Sequence, residues 1–224
     1  MAKFELIGTA TIPGQGSELR LLRRNSEFSI KIAGKTGELM NSRLHGSEDA
    51  LAELACEPVK TRPSVRVLIG GLGMGFTLAA ALKTLGADAE VVVAELVPDV
   101  VEWNRGPMGM VAGYPLNDAR TTLSVGDVGK LLRTEKQAFD AIMLDVDNGP
   151  EGLTRKENDW IYSPKGLQAA QEALRPDGVL AIWSAGRDPA FTERLRRIGF
   201  MVEEKSVRAH RPGKGAKHVI WLAQ

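Results

Sequence analysis

A single cysteine in 224 residues excludes an intramolecular disulfide, and with only three histidines there is no paired Cys/His spacing for a structural zinc site. That cysteine, Cys56, stands in LAELACEP, where apolar neighbours read as packing for a buried thiol rather than activation of a nucleophile. No apolar run approaches the roughly 18–20 residues needed to cross a bilayer. The first residues, MAKFELIGTA, lack the apolar core and small-residue cleavage site of a secretory signal. The expectation is a cytoplasmic protein without a membrane partner. The formal net charge is +1, which supplies no global field to gather nucleic acid, so nucleic acid is not an expected partner. There is no G-x-S-x-G nucleophile elbow and no N-P-P-Y-type amine-methylation motif. No metal site is expected.

What is present is ordinary globular composition, 43% hydrophobic and 25% charged, in a length that suits one main core with a small appendage. From VRVLIG through FTLAAALKTLG, AEVVVAEL, VPDVVEWNR, RTTLSV, VGKLLRT, FDAIMLDV, GLQAAQEALRP and GVLAIWS, strand-like runs alternate with helical ones. That order predicts a doubly wound α/β fold with a mostly parallel sheet. In the first of these helices Leu78, Leu82 and Leu85 share a face, and Gly86 is placed to end it in the left-handed region. FMVEEKSV and KHVIWLA read as a closing antiparallel pair. The first sixty residues differ: KFELIGTATI, SELRLLRRN and EFSIKIAG are β-rich segments separated by turn residues, followed by a helix, SEDALAELAC, with Ser47 as its expected N-cap. The domain reading is residues 1–60 for the β-rich appendage and its connecting helix, and 61–224 for the main α/β unit.

Four features recur at expected strand ends. Gly71, Gly73 and Gly75 form G-x-G-x-G between a strand and a helix, where missing Cβ atoms let backbone N–H groups approach a ligand. Glu95 ends the next strand, where an open α/β sheet places an acceptor for ribose hydroxyls. Asp127 follows the third strand, positioned either to meet an adenine amino group or to cap the helix behind it. Asp145 follows the fourth, facing the crevice beyond the strand tips. Because the loop departs from the full G-x-G-x-x-G pattern, NAD is the poorer reading.

Taken in order, the N-terminal β segments, VLIGGLGMG, VVVAEL, VGDVGKLL and FDAIMLDVDNGP resemble the spermidine synthase family, which uses the class I S-adenosylmethionine-dependent methyltransferase fold. The resemblance implies a seven-stranded Rossmann-like sheet, a homodimer, and S-adenosylmethionine or its decarboxylated form as donor. It also implies an amine-type acceptor receiving an aminopropyl or methyl group. It assigns Gly71, Gly73 and Gly75 to the donor tail, Glu95 to the ribose, Asp127 to the adenine, and Asp145, with Asp147 second, to amine orientation or deprotonation. The sequence departs from the family at Met74, where an Asp is usual, and at Leu51 and Ala52, where Tyr and His are usual. Trp183 stands where Gln is frequent, while Glu48 and Glu53 are kept. Trp160 and Tyr162, in the long polar stretch after Asp147, read equally as a lid that stacks on the acceptor or as aromatic anchors of a surface loop, and Glu48 is a further candidate substrate residue. His45 and the basic run RAHRPGKGAKH are read as exposed turns. A methyltransferase acting on another small molecule or a macromolecule, and a non-catalytic nucleoside-binding protein, remain as alternatives.

Overall fold

The computed structural model describes residues 3–14, 16–146, 159–210 and 214–224. Strands β1 (Glu5–Thr11), β2 (Glu18–Arg24), β3 (Glu27–Ile32) and the short β4 (Met40–Asn41) pair in that order into an antiparallel sheet. The β2–β3 hairpin closes through Asn25 and Ser26, and Asn25 takes the left-handed conformation (φ 56°) that such two-residue turns demand. Leu19, Leu21, Phe28 and Ile30 alternate onto one buried face. Helix α1 (Gly46–Cys56) follows. It starts one residue earlier than the expected Ser47 cap. Ser47 lies inside the first turn, and its hydroxyl donates to the Glu48 carboxylate at 2.6 Å instead of closing the helix end. Through Leu51, Ala55 and Cys56 the helix packs onto the core layer formed by one face of the large sheet.

That sheet is built from β5 (Arg66–Gly70), α2 (Phe76–Thr84), β6 (Glu90–Glu95), α3 (Pro98–Arg105), β7 (Thr121–Val125), α4 (Val128–Thr134), β8 (Phe139–Leu144), α5 (Asp159–Tyr162), α6 (Pro164–Ala173), β9 (Leu174–Ser184), α7 (Pro189–Ile198), β10 (Val202–His210) and β11 (Lys214–Ala223). Its seven strands run in the order β10-β11-β9-β8-β5-β6-β7, parallel from β9 to β7, with β11 antiparallel to both β9 and β10. This is the doubly wound α/β architecture expected, with its small N-terminal β sheet. Apolar layers cover both faces, which is why β8 is buried at every position. Leu78, Leu82 and Leu85 do share a buried face, but α2 does not end through a left-handed Gly86. The chain extends at Leu85 (φ −88°, ψ 155°), which keeps that side chain in the core.

Strand order reverses between β5 and β8, and ligands of open α/β sheets bind in the crevice such a reversal opens at the carboxyl ends of the strands. The small sheet closes this end: its apolar face packs with Met74, Phe76, Val97, Val100 and Trp103 in a third apolar cluster. At the opposite ends of the strands, the buried Asp140 carboxylate accepts from Arg62 at 3.1 Å, Arg175 at 2.7 Å and the Arg66 amide at 2.9 Å. Among the described residues no helix is long and apolar enough to cross a membrane.

Candidate active site

The loop from β5 to α2 turns on three glycines with positive φ: Gly71 (93°), Gly73 (53°) and Gly75 (84°). At Gly71 the requirement is also one of space, since a Cβ there would lie 2.4 Å from the Asp145 carbonyl oxygen. Two side chains hold the loop. Glu95, at the tip of β6 and buried, accepts from the Leu72 amide at 2.9 Å and from the Val97 amide at 2.8 Å. Asn104, buried on α3, donates its side-chain amide to the Gly73 carbonyl at 2.8 Å and to the Val100 carbonyl at 2.9 Å. Burial pushes the Glu95 carboxyl above its usual range, opposed by the amides of Val97, Leu72, Gly73 and Leu96.

Two cavities open at this end of the sheet. The first lies between the small sheet and the tips of β5, β6 and β7; Ile12, Leu19 and Ile30 form its apolar wall, and Gly71, Gly73, Glu95, Asp127 and Asp145 its polar floor. Asp127 also caps α4: its carboxylate accepts from the Gly129 amide at 2.8 Å and approaches Arg133 at 3.4 Å. The capping and cavity readings of this residue therefore coexist.

The second cavity shares Leu39, Met40, Gly73 and Asp145 with the first and extends toward α1, β9 and β11. Asp145 stands at the junction. Its amide donates to the Gly70 carbonyl at 2.9 Å, and Thr77, in the first turn of α2, donates its hydroxyl to the carboxylate at 2.9 Å. Glu48, from the first turn of α1, enters the same cavity. Burial raises both carboxyls, Asp145 to about 6 and Glu48, with the negative charge of Asp145 adding to the effect, to about 7; the Thr77 hydroxyl tempers Asp145. The pair therefore shares protons near neutrality, and a cation between the two groups would restore both charges. Neither cavity is lined by a lysine or arginine among the described residues.

Gly71, Gly73, Glu95, Asp127 and Asp145 thus meet around the first cavity, while Gly75 serves as the left-handed N-cap of α2. Glu48 joins them through Asp145. Asp147 lies outside the described residues. Trp160 and Tyr162 line neither cavity. Trp160 carries the Arg133 guanidinium over its ring at 4.4 Å, and Tyr162 is buried against Phe191 and donates its hydroxyl to the Val146 carbonyl at 3.0 Å. Met74 is buried with the small sheet and borders the second cavity. Cys56 is buried, and burial drives its thiol up to about 12, consistent with a packed role. His45 pairs with Asp49 at 3.0 Å and stacks on Phe76.

Three residues escaped sequence reasoning. Thr77 had a weak signal, its place directly after the glycine loop. Asn104 had none, since a polar residue in EWNR reads as exposed. His218 was grouped with the basic turn, yet it belongs to β11 and lines the second cavity. Its alternation with Ile220 was the signal available.

Known proteins resemble this chain in sequence and in fold. A model of the spermine/spermidine synthase domain matches residues 49–195. A polyamine aminopropyltransferase of Korarchaeum cryptofilum is 28% identical over 121 residues, 54% of this chain and 36% of that one. One from Saccharolobus solfataricus is 27% identical over 132 residues, 59% of this chain and 42% of the other. The chain thus spans about four-tenths of the length of these relatives. The crystal structure of spermidine synthase from Thermotoga maritima superposes with a TM-score of 0.74 at 18% identity, covering 99% of this chain and 74% of that one, and so shares its fold. Because the family model extends from α1 into α7, well over half of the sequence, the chain belongs to the spermine/spermidine synthase family.

Proposed function

We propose that the protein transfers an aminopropyl group from decarboxylated S-adenosylmethionine to a primary amine. The observation that carries this reading is the charge of the two joined cavities: Glu48, Glu95, Asp127 and Asp145 line them, with no lysine or arginine among the described lining residues. Such a site favours a cationic sulfonium and a cationic amine, and among the described lining residues it offers the carboxylate of intact S-adenosylmethionine no lysine or arginine. The nucleoside would occupy the first cavity, with ribose hydroxyls on the remaining lone pairs of Glu95 and the adenine near Asp127.

The amine would enter the second cavity as an ammonium held between Glu48 and Asp145. Loss of its proton to Asp145 frees the nitrogen lone pair to attack the propyl carbon next to sulfur. The new C–N bond forms as the C–S bond breaks, and the electron pair returns to sulfur, leaving neutral 5′-methylthioadenosine. Alignment of the two substrates at the junction supplies most of the acceleration, and the base adds to it. Thr77 positions the carboxylate.

A homodimer is part of this proposal, supported by the exposed Phe4 and Leu6 at edge strand β1. The test is mass spectrometry of products from the purified protein, the decarboxylated donor and a panel of amines. Release of 5′-methylthioadenosine with an aminopropylated amine is expected. S-adenosylhomocysteine formed from intact S-adenosylmethionine, without reaction of the decarboxylated donor, would replace this reading with methyl transfer.

A further inference from the structure

Ser47 sits in the first turn of α1 without capping it. It is buried at 2% exposure, lines the second cavity beside Glu48, and donates its hydroxyl to the Glu48 carboxylate at 2.6 Å. In the same cavity the Thr77 hydroxyl makes the same kind of bond to Asp145, so each of the two acids has a hydroxyl donor of its own. The other charged groups around Glu48 have different partners or bear on it less directly. Glu38, before β4, lines the cavity and pairs with Arg43 at 3.5 Å, and His218 lines it from β11, its imidazole held below the ordinary value by burial. At the start of α1, His45 pairs with Asp49 at 3.0 Å. Lys83 of α2 borders a separate groove with Asp49 and Glu53, and Arg208 of β10 donates to the Gly215 carbonyl at 3.1 Å.

We infer that Ser47 is a positioning residue for the acceptor: its hydroxyl fixes one oxygen of Glu48, favours the ionised carboxylate, and so sets the pH above which the cavity holds an ammonium. The inference rests on the amine-acceptor reading above and names the residue that tunes it. A hydroxyl binds a carboxylate more strongly than a neutral carboxyl, so the bond stabilises the charged form over the protonated one. Among the influences that draw the Glu48 carboxyl down against burial and the charge of Asp145, this bond is the largest, ahead of the Glu48 amide and His45. Without the hydroxyl, Glu48 keeps its proton to higher pH, and an ammonium entering the cavity meets a neutral carboxyl over a wider range. Thr77 does not replace it, because its own hydroxyl is held on Asp145.

Calorimetric titration of the full chain with 1,4-diaminobutane between pH 6 and pH 9, where an alkylamine stays an ammonium, tests this directly. Affinity of the parent is expected to rise with pH through a midpoint of about 7. In Ser47→Ala the midpoint should lie about one pH unit higher, so that the variant binds about tenfold more weakly at pH 6.5 and about equally at pH 9. Ser47→Thr keeps the hydroxyl and should restore the parent profile. An unmoved midpoint in Ser47→Ala, or a loss of the same size at every pH in both variants, would overturn the inference. Carbon-13 NMR titration of the Glu48 carboxyl in the ligand-free chain, identified by its absence from Glu48→Gln, separates the two claims. A Glu48 midpoint that rises in Ser47→Ala while the parent takes no amine at any pH leaves the bond between Ser47 and Glu48 standing and removes the amine reading; a midpoint that stays removes the tuning by Ser47 itself.

Discussion

Asp145 answers two demands at once. Its backbone carbonyl sits where a side chain on Gly71 would have to go, and its carboxylate, fixed by Thr77, faces Glu48 across the second cavity. Replacement by Asn keeps the shape and the acceptor for Thr77 but removes the base. In Asp145→Asn, kcat for aminopropyl transfer is expected to fall about 10²- to 10⁴-fold, with binding of 5′-methylthioadenosine retained in calorimetry. Unchanged turnover would take Asp145 out of the chemistry.

Glu48 gives a prediction with a sign. Both acids hold protons more tightly in the folded chain than in the unfolded one, where the ordinary values are 3.8 and 4.5. The stability they contribute is complete below about pH 4 and is lost as pH rises through about 6 and then 7. In Glu48→Gln the burial of a carboxylate and its repulsion of Asp145 both disappear, so the ligand-free variant should be more stable than the parent at pH 8, on the order of 2 kcal/mol, and indistinguishable from it near pH 4. Thermal melts at the two pH values measure this. The same variant should bind amines more weakly, since a cation is what relieves the pair. A Glu48→Gln protein less stable at pH 8 would mean that the Glu48 carboxylate is not held at a cost in the folded chain.

Among the elements, the loop from β5 to α2 shows how local backbone choice becomes a binding surface. Alanine at Gly71 would meet an unfavourable φ of 93° and a carbonyl oxygen at 2.4 Å, neither of which can yield without moving β5 or β8. Gly71→Ala is therefore expected to cost at least about 2 kcal/mol and to abolish nucleoside binding, read by thermal melting with and without 5′-methylthioadenosine. Asn104→Ala removes two side-chain hydrogen bonds to carbonyls, one of them in the glycine loop. Its expected cost is about 1–3 kcal/mol, together with weaker nucleoside binding. A variant with wild-type affinity would show that the loop holds its shape without α3. Helix α1 works at the same scale: it packs its apolar stripe on the large sheet and so delivers Glu48 to the tip of β8.

At the scale of the whole molecule, the small sheet supplies the apolar wall of the first cavity, so neither sheet makes the site alone. Light scattering of the full chain is expected to give twice the 24.2 kDa chain mass, and a monomer would refute the proposed dimer. Much of this architecture was legible beforehand. Strand and helix periods are local, and β5, β6, β7, β8, β9 and the closing antiparallel pair β10 and β11 appeared in the expected chain order and sense. Gly71, Gly73, Glu95, Asp127 and Asp145 meet around one cavity because strand ends of an open α/β sheet converge by topology, whereas Gly75 serves the start of α2. Trp160 and Tyr162 show the limit. Aromatic residues in a polar stretch read equally as a stacking platform or an anchor, and only packing assigned them to Arg133, Phe191 and the Val146 carbonyl.

Alternating patterns, turn residues and glycines act over a few neighbours along the chain, so the sequence by itself determined the α/β class, the small β sheet and the row of acids at the strand ends. The tertiary structure alone decided that Glu48 would face Asp145, that Glu95 would grip the loop and that His218 would turn inward beside Trp183. Those meetings join residues far apart in the chain through sheet register and helix packing, which no local pattern encodes.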